Sequence, residues 1–158
     1  MKFNKTFFGV VIFIILLLFA ADNAYSANGP KISLGKTLIN SNLAYGEIGY
    51  EYENFELTAA QMGEGSTKNG DQGVVQIYSL SHLVRPDWNT FFGKNYYRIG
   101  VAYIEDSPLV GNTNFRLGVG IDYGAFSVEY FHYSSSGIHN PNTGIDGIQL
   151  KLNIPKRG

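Results

Sequence analysis

The chain has 158 residues, no cysteine and a formal net charge of −1. Without cysteine, neither disulfides nor a thiolate metal site can hold the protein together. A net charge near zero argues against a nucleic-acid partner, because such binding depends on neutralising phosphates. Glycine, tyrosine and phenylalanine are abundant, with 19, 11 and 11 residues. In a chain of single-domain length, this composition and the alternating patterns below favour an all-β protein.

The N-terminus predicts a secretory signal peptide. Lys2 and Lys5 precede an almost unbroken apolar run over residues 7–21, and small residues follow at the positions that a signal peptidase reads. The run is shorter than the about 18 residues that a spanning helix needs, which argues against the alternative of a retained anchor. We expect cleavage after Ser26, which leaves residues 27–158 as one β-barrel domain.

Eight runs of alternating residues, each bounded by turn residues, are predicted to form strands. Tight turns are expected at residues 53–54 and 124–125, and longer polar loops at 63–73 and 106–113. Eight strands of this length suit a small closed barrel, and short turns at one end with longer loops at the other are typical of an antiparallel outer-membrane β-barrel. The predicted strands cover residues 31–38, 43–52, 55–62, 74–82, 95–105, 114–123, 126–134 and 145–155.

The two faces of these strands favour a membrane barrel over a soluble one. The sixth strand has Leu117 and Val119 on its apolar face and Arg116 on the other. In a membrane barrel the apolar face meets lipid, whereas charges and small residues fill a narrow interior. Four charged side chains are therefore predicted to pair inside, namely Arg98, Arg116, Asp122 and Glu129. A secreted soluble lipid-binding barrel is the alternative that the pattern leaves open.

Groups capable of chemistry gather where the seventh and eighth strands meet their connecting loop. His132 and Ser134 share a face of the seventh strand because they are two residues apart. A hairpin register that pairs residue 132 with residue 146 would set the imidazole opposite the carboxylate of Asp146. Every register with an even residue sum keeps the three side chains on one face, and the loop length does not choose between them.

As a catalytic set, Ser134 would be the nucleophile and His132 the general base. Asp146 would hold the imidazole tautomer and stabilise the imidazolium. The alternative is that these residues are polar only because strand ends meet lipid headgroups and water. The other two histidines, His82 and His139, are interpreted as surface residues, and their spacing predicts no metal site.

The segment from Phe131 to Leu152 resembles the active-site hairpin of the outer-membrane lipid A 3-O-deacylases, the PagL-like family. That family has His-x-Ser at the end of the seventh strand, then Pro-Asn-x-Gly, then an acidic residue on the eighth strand. These elements stand here as His132-Tyr133-Ser134, as the run 141–144, and as Asp146. The family acid is usually Glu, and the residue after the nucleophile is typically Asn, where this chain has Ser135.

The resemblance implies an eight-stranded outer-membrane barrel that hydrolyses the ester-linked 3-hydroxyacyl chain of lipid A. It assigns an oxyanion-donor role to Asn142, for which an ordinary turn residue is the alternative. Backbone N–H groups of residues 135–137 are further expected donors, and Tyr130 and Ile148 are expected wall residues for acyl chains. Lipid A or lipopolysaccharide and outer-membrane lipid are the expected partners, with no cofactor and no metal, and a homodimer stays open. A non-catalytic barrel that kept the hairpin is the main alternative function.

Overall fold

The structure, a computed structural model, describes residues 28–90, 93–138 and 140–154. The predicted signal peptide therefore lies outside the described residues. Within them, no helix is long and apolar enough to span a membrane. The chain forms strands β1 (Gly29–Leu38), β2 (Ala44–Tyr52), β3 (Phe55–Met62), β4 (Gly65–Thr67), β5 (Gly70–Gln72), β6 (Val75–Val84), β7 (Asn89–Thr90), β8 (Gly93–Ile104), β9 (Thr113–Asp122), β10 (Phe126–Ser134) and β11 (Ile145–Asn153).

Eight long strands close into an antiparallel barrel. Their order is β6-β3-β2-β1-β11-β10-β9-β8, and β6 also pairs with β8, which joins the two edges of the sheet. The first and last strands meet, because β1 pairs with β11 over eight residue pairs. Closure satisfies the hydrogen-bonding groups that an open sheet would leave at its edges. The predicted all-β, eight-stranded antiparallel fold is confirmed.

All strand bounds lie within two residues of the predicted ones. Pro155, the predicted end of the eighth strand, lies outside the described residues. Two predictions need correction. The loop predicted over residues 63–73 contains the small hairpin β4–β5, held by a hydrogen bond from Thr67 Oγ1 to the carbonyl of Gly70 at 2.6 Å. Strands of three residues are too short to show alternation, so the pattern could not reveal them. The fourth predicted strand continues past His82 to Val84, since β6 stays paired with β8 there.

The two ends of the barrel differ in their connections. One end, called here the loop end, carries the segments 39–43, 63–74, 105–112, 135–138 and 140–144. The opposite end carries the connections 53–54 and 123–125, and the segment 85–90 that contains β7. The outward face between them is apolar, with Ile99, Leu117 and Val119 about half exposed, at 58%, 47% and 53%. This orientation is that of a membrane barrel and not of a soluble one, whose apolar face would point inward.

Charged side chains fill part of the interior as ion pairs. Arg98 Nε lies 2.9 Å from Glu129 Oε1, and Arg98 Nη2 lies 3.2 Å from Glu56 Oε2. Arg116 Nη1 lies 2.7 Å from Glu47 Oε2. All of these side chains are buried, so each charge needs the partner that it has. The inward placement of the predicted arginines and Glu129 is confirmed.

Asp122, which was predicted to join these pairs, lies at the β9–β10 turn. Its Oδ1 accepts a hydrogen bond from the N–H of Gly124 at 2.8 Å. Asp122 is the last residue of β9, so its carboxylate reaches the turn that follows. The partners from β2 and β3 were not predicted, because strands distant in sequence become neighbours only when the barrel closes.

Apolar side chains fill the interior at the loop end. Phe131 of β10 contacts Tyr45 of β2 with ring centroids 4.5 Å apart. Its ring lies over Gly147 of β11, where a Cβ would come within 2.2 Å of it. This cluster supports the β10–β11 hairpin from inside. Its members are Leu43, Tyr45, Ala60, Met62, Val75, Ile77, Ala102, Ile104, Leu109, Val110, Phe131, Tyr133 and Ile145.

Candidate active site

The register of the β10–β11 hairpin brings an imidazole and a carboxylate together. His132 pairs directly with Asp146, which is one of the registers that the sequence left open. His132 Nδ1 lies 2.8 Å from Asp146 Oδ1. Asp146, which is shorter than the glutamate usual in the resembling family, therefore reaches the imidazole. The His132 side chain is 33% exposed and that of Asp146 is 11% exposed, so the pair lies at the surface of the wall with its acid largely covered.

Tyr130 contributes a further contact that was not predicted from the sequence. Its hydroxyl donates to Asp146 Oδ1 at 2.5 Å, the same oxygen that faces His132. Tyr130 was expected only as a wall residue. The alternation of the strand could have indicated this contact, because residues 130, 132 and 134 lie on the same face.

Ser134 lies on the same face but does not contact the imidazole. Its Oγ donates to Asn142 Oδ1 at 3.1 Å, and among the described residues no hydrogen bond joins it to His132. Since His132 Nδ1 faces Asp146, Nε2 is the nitrogen left to accept the serine proton. Catalytic hydrogen bonds are often long or misaligned before substrate binds. The structure thus brings His132 and Asp146 together, and Ser134 and Asn142 together.

The amide of Asn142 has a defined orientation. The N–H of Ser135 donates to its side-chain oxygen at 2.9 Å, and the Ser135 hydroxyl donates to the same atom at 3.0 Å. A backbone N–H can only donate, so this atom must be Oδ1 and not Nδ2. Within the described part of the chain, Asn142 Nδ2 has no hydrogen-bond partner, and the residue is exposed.

The backbone N–H groups beside the serine have different roles. The N–H of Ser135, expected as an oxyanion donor, is already used by Asn142, and this corrects the expectation for that group. The N–H of Ser136 points at Ser134 Oγ, 3.1 Å away. The Ser135 side chain is buried, in keeping with its opposite strand parity.

Neighbouring loops hold the segment that carries Asn142. The N–H of Thr143 donates to the carbonyl of Leu109 at 2.8 Å. Asn69, in the turn of the β4–β5 hairpin, donates to Thr143 Oγ1 at 2.6 Å. Asn40 donates to the Thr143 carbonyl at 3.0 Å. Three separate connections of the barrel thus hold the segment that contains Asn142, whereas an ordinary turn does not require such contacts.

Gly144 gives the imidazole its space. Its φ is +84°, a backbone conformation that side chains with a Cβ rarely adopt. A Cβ at this position would lie 3.0 Å from Cε1 of His132. The glycine at the end of the Pro-Asn-x-Gly segment therefore allows both the turn and the close approach of the ring.

An open groove of about 650 Å³ runs along the outer wall from the histidine–aspartate pair. Most of its lining is apolar, so it can accept a hydrocarbon chain. Ile148, the other expected wall residue, is 42% exposed on the neighbouring strand. The groove is lined by Tyr97, Arg98, Ile99, Leu117, Gly118, Val119, Tyr130, His132 and Asp146.

The remaining histidines do not extend the site. His82 is exposed on β6, and its ring centroid lies 4.9 Å from that of Phe55. His139 lies outside the described residues. Over residues 28–90, 93–138 and 140–154, no group of three or more His, Cys, Asp or Glu side chains could hold a metal ion.

Comparison with known proteins supports the fold. Neither a protein-family model nor a curated protein sequence matches the chain. A solved structure described as the crystal structure of the outer membrane enzyme PagL matches 78% of this chain and 99% of its own, with a TM-score of 0.53 and 19% identity. The chain has the fold of PagL. The likeness to the PagL-like proteins that the hairpin implied thus extends to the whole barrel, and at this identity it concerns the fold alone.

Proposed function

We propose that the protein is a serine esterase of the bacterial outer membrane that removes the ester-linked 3-hydroxyacyl chain of lipid A. One observation carries the proposal. The His132–Asp146 pair, with Ser134 and Asn142 beside it, lies on the membrane-facing wall at the loop end, next to an apolar groove. Polar catalytic groups on a lipid-facing wall suit an enzyme that cleaves a bond in a lipid.

The reaction begins at the serine hydroxyl. Ser134 turns its Oγ from Asn142 to His132 Nε2, which takes the proton as Oγ attacks the ester carbonyl carbon. Asp146 accepts the hydrogen bond from Nδ1–H and stabilises the imidazolium that forms. An ionised carboxylate only accepts hydrogen bonds, so the 2.8 Å contact favours the Nδ1–H tautomer that this step needs.

The carbonyl oxygen becomes an oxyanion in the tetrahedral intermediate. Asn142 Nδ2 is the side-chain donor for it. The N–H of Ser136, which donates to Ser134 Oγ before the reaction, becomes available as a backbone donor once Oγ turns away. One preorganised donor is worth about 3 kcal/mol of transition-state stabilisation. When the intermediate collapses, the imidazolium protonates the departing sugar oxygen and the acyl group stays on Ser134. Water, activated by His132, then releases the 3-hydroxy fatty acid.

The position of the site supports a lipid substrate. The loop end of a membrane barrel lies near the headgroups, whereas the wall below it contacts acyl chains. A lipid whose ester is close to its headgroup can place that ester at Ser134 and one chain in the groove beside Tyr130 and Leu117. Lipid A has such esters, and the family resemblance of the hairpin selects the 3-position.

Mass spectrometry of lipid A from a Gram-negative host tests the proposal. The host would express the wild type, Ser134→Ala, or the control Thr113→Ala, which removes the hydroxyl of an exposed residue at the start of β9. We expect loss of one 3-hydroxyacyl mass with the wild type and the control, and intact lipid A with Ser134→Ala.

Intact lipid A with every variant, although each is folded in the outer membrane, would contradict the proposal. It would favour the non-catalytic barrel or another lipid substrate. Recovery of the folded protein in the soluble fraction without detergent would instead support a soluble lipid-binding barrel.

A further inference from the structure

Tyr130 carries a hydroxyl that the proposed reaction does not use. Its ring lies on the outer wall, 42% exposed, and lines the groove. Its hydroxyl donates to Asp146 Oδ1 at 2.5 Å. Packing against acyl chains would require only the ring. The hydroxyl therefore calls for a separate explanation.

The backbone register explains how the contact forms. Tyr130 pairs directly with Ile148, so Asp146 is its diagonal neighbour two residues along β11. Diagonal neighbours on one face of a sheet lie about 7–8 Å apart, within the reach of a tyrosine side chain. His132 is the direct partner of Asp146 and contacts the same oxygen. Two adjacent residues of one strand face thus converge on one carboxylate oxygen.

Two donors on one oxygen restrict the carboxylate more than one donor does. An ionised carboxylate only accepts hydrogen bonds, so both the phenol O–H and the imidazole Nδ1–H can donate to it. The Asp146 side chain is 11% exposed, so water can reach it and compete for its oxygens. With the phenol in place, Oδ1 stays directed at His132.

We propose that Tyr130 is a positioning residue, which orients Asp146 through its hydroxyl so that His132 keeps its proton on Nδ1 and presents Nε2 to Ser134. The inference rests on the proposed esterase function for its kinetic consequence. Its structural content, the tautomer of His132, can be measured separately.

Tyr130→Phe is the sharpest variant, because it keeps the ring in the groove and removes one oxygen atom. Purified protein in detergent would be assayed on lipid A in mixed micelles. We expect kcat to fall about 10-fold while KM stays unchanged, since the lost contact acts on the catalytic pair and not on the acyl chain. The matched control is Tyr78→Phe, another tyrosine exposed on the outer wall, on β6 away from the hairpin.

Nitrogen-15 spectra of histidine-labelled protein supply the second readout. The ring signals of His132, assigned by comparison with His132→Gln, report which nitrogen carries the proton. We expect the Nδ1–H tautomer in the wild type and in Tyr78→Phe, and a mixture of tautomers in Tyr130→Phe. A residue that only packs on the wall would not change this signal.

Several outcomes would overturn the inference. The inference fails if Tyr130→Phe has the same kcat and KM as Tyr78→Phe. A raised KM with unchanged kcat would show that Tyr130 only lines the groove. If the wild type shows no Ser134-dependent hydrolysis, the esterase proposal fails on its own. The nitrogen-15 signals of the His132 ring then test the positioning role by themselves. Identical His132 tautomers in the wild type and Tyr130→Phe would reject it.

Discussion

The backbone N–H of Ser135 donates to the side-chain oxygen of Asn142 across the loop, at 2.9 Å. This contact sets the direction of the whole amide, because the oxygen faces Ser135 and the NH₂ group is turned away from it. The Ser135 hydroxyl adds a further hydrogen bond to the same oxygen at 3.0 Å.

Asn142→Asp distinguishes the role of the amide oxygen from that of the NH₂ group. The aspartate keeps an oxygen that can accept from Ser135, so the loop should stay in place. It loses the NH₂ donor and brings a negative charge to the developing oxyanion. We expect kcat to fall about 10²–10³-fold or more, the usual effect of losing an oxyanion donor. Activity on lipid A micelles measures this, and a heat-modifiable band on electrophoresis reports the folded barrel. Activity within twofold of the wild type would remove Asn142 from the oxyanion site.

Ser135→Ala tests the contribution of the buried hydroxyl. The backbone N–H still donates to Asn142, so the amide should keep its orientation with less restraint. We expect kcat to fall about three- to tenfold and the free energy of unfolding to fall by about 1 kcal/mol, the usual value of one hydrogen bond. Urea unfolding of the barrel in detergent and lipid A kinetics measure the two effects. Kinetics and stability of Ser135→Ala equal to those of the wild type would show that the hydroxyl has no positioning role.

Gly144→Ala should disturb the imidazole directly. The new Cβ would lie 3.0 Å from His132 Cε1, and φ is +84°. The backbone strain alone costs about 1–2 kcal/mol. Gly124→Ala is a matched control, because its φ is +93° and nothing lies within 4 Å of the added Cβ. We expect both variants to lose similar stability in thermal unfolding and only Gly144→Ala to lose most of its activity. Equal activity in the two would indicate that the ring has room to move.

Arg98→Met should destabilise the barrel strongly. The substitution leaves Glu129 and Glu56 buried with fewer cations near them. Removing one partner of a buried pair costs about 3–5 kcal/mol. The double variant Arg98→Met/Glu129→Gln removes one of the stranded charges, so it should recover part of the loss. Urea unfolding in detergent measures both, and a double variant less stable than the single one would show that Glu129 is held mainly by Arg116 and Lys151.

Much of the fold was predictable, because alternation with a period of two is a local property of the chain. It marks the outward Leu117 and Val119 and the inward Arg116 and Glu129 without any knowledge of neighbouring strands. The strands Phe55–Met62 and Phe126–Ser134 match their predicted bounds. The short strands of the β4–β5 hairpin left no such pattern and were missed.

The sequence by itself determined which residues of the candidate site share a face. His132 and Ser134 are two positions apart on one strand, and the loop motif with Asp146 follows on the next. Only the tertiary structure decided the register that pairs His132 with Asp146, since several registers keep the same parity. It also decided that Tyr130 reaches Asp146 and that Ser135 orients Asn142. Such contacts depend on side-chain directions and loop anchoring between segments distant in sequence, which a local pattern does not encode.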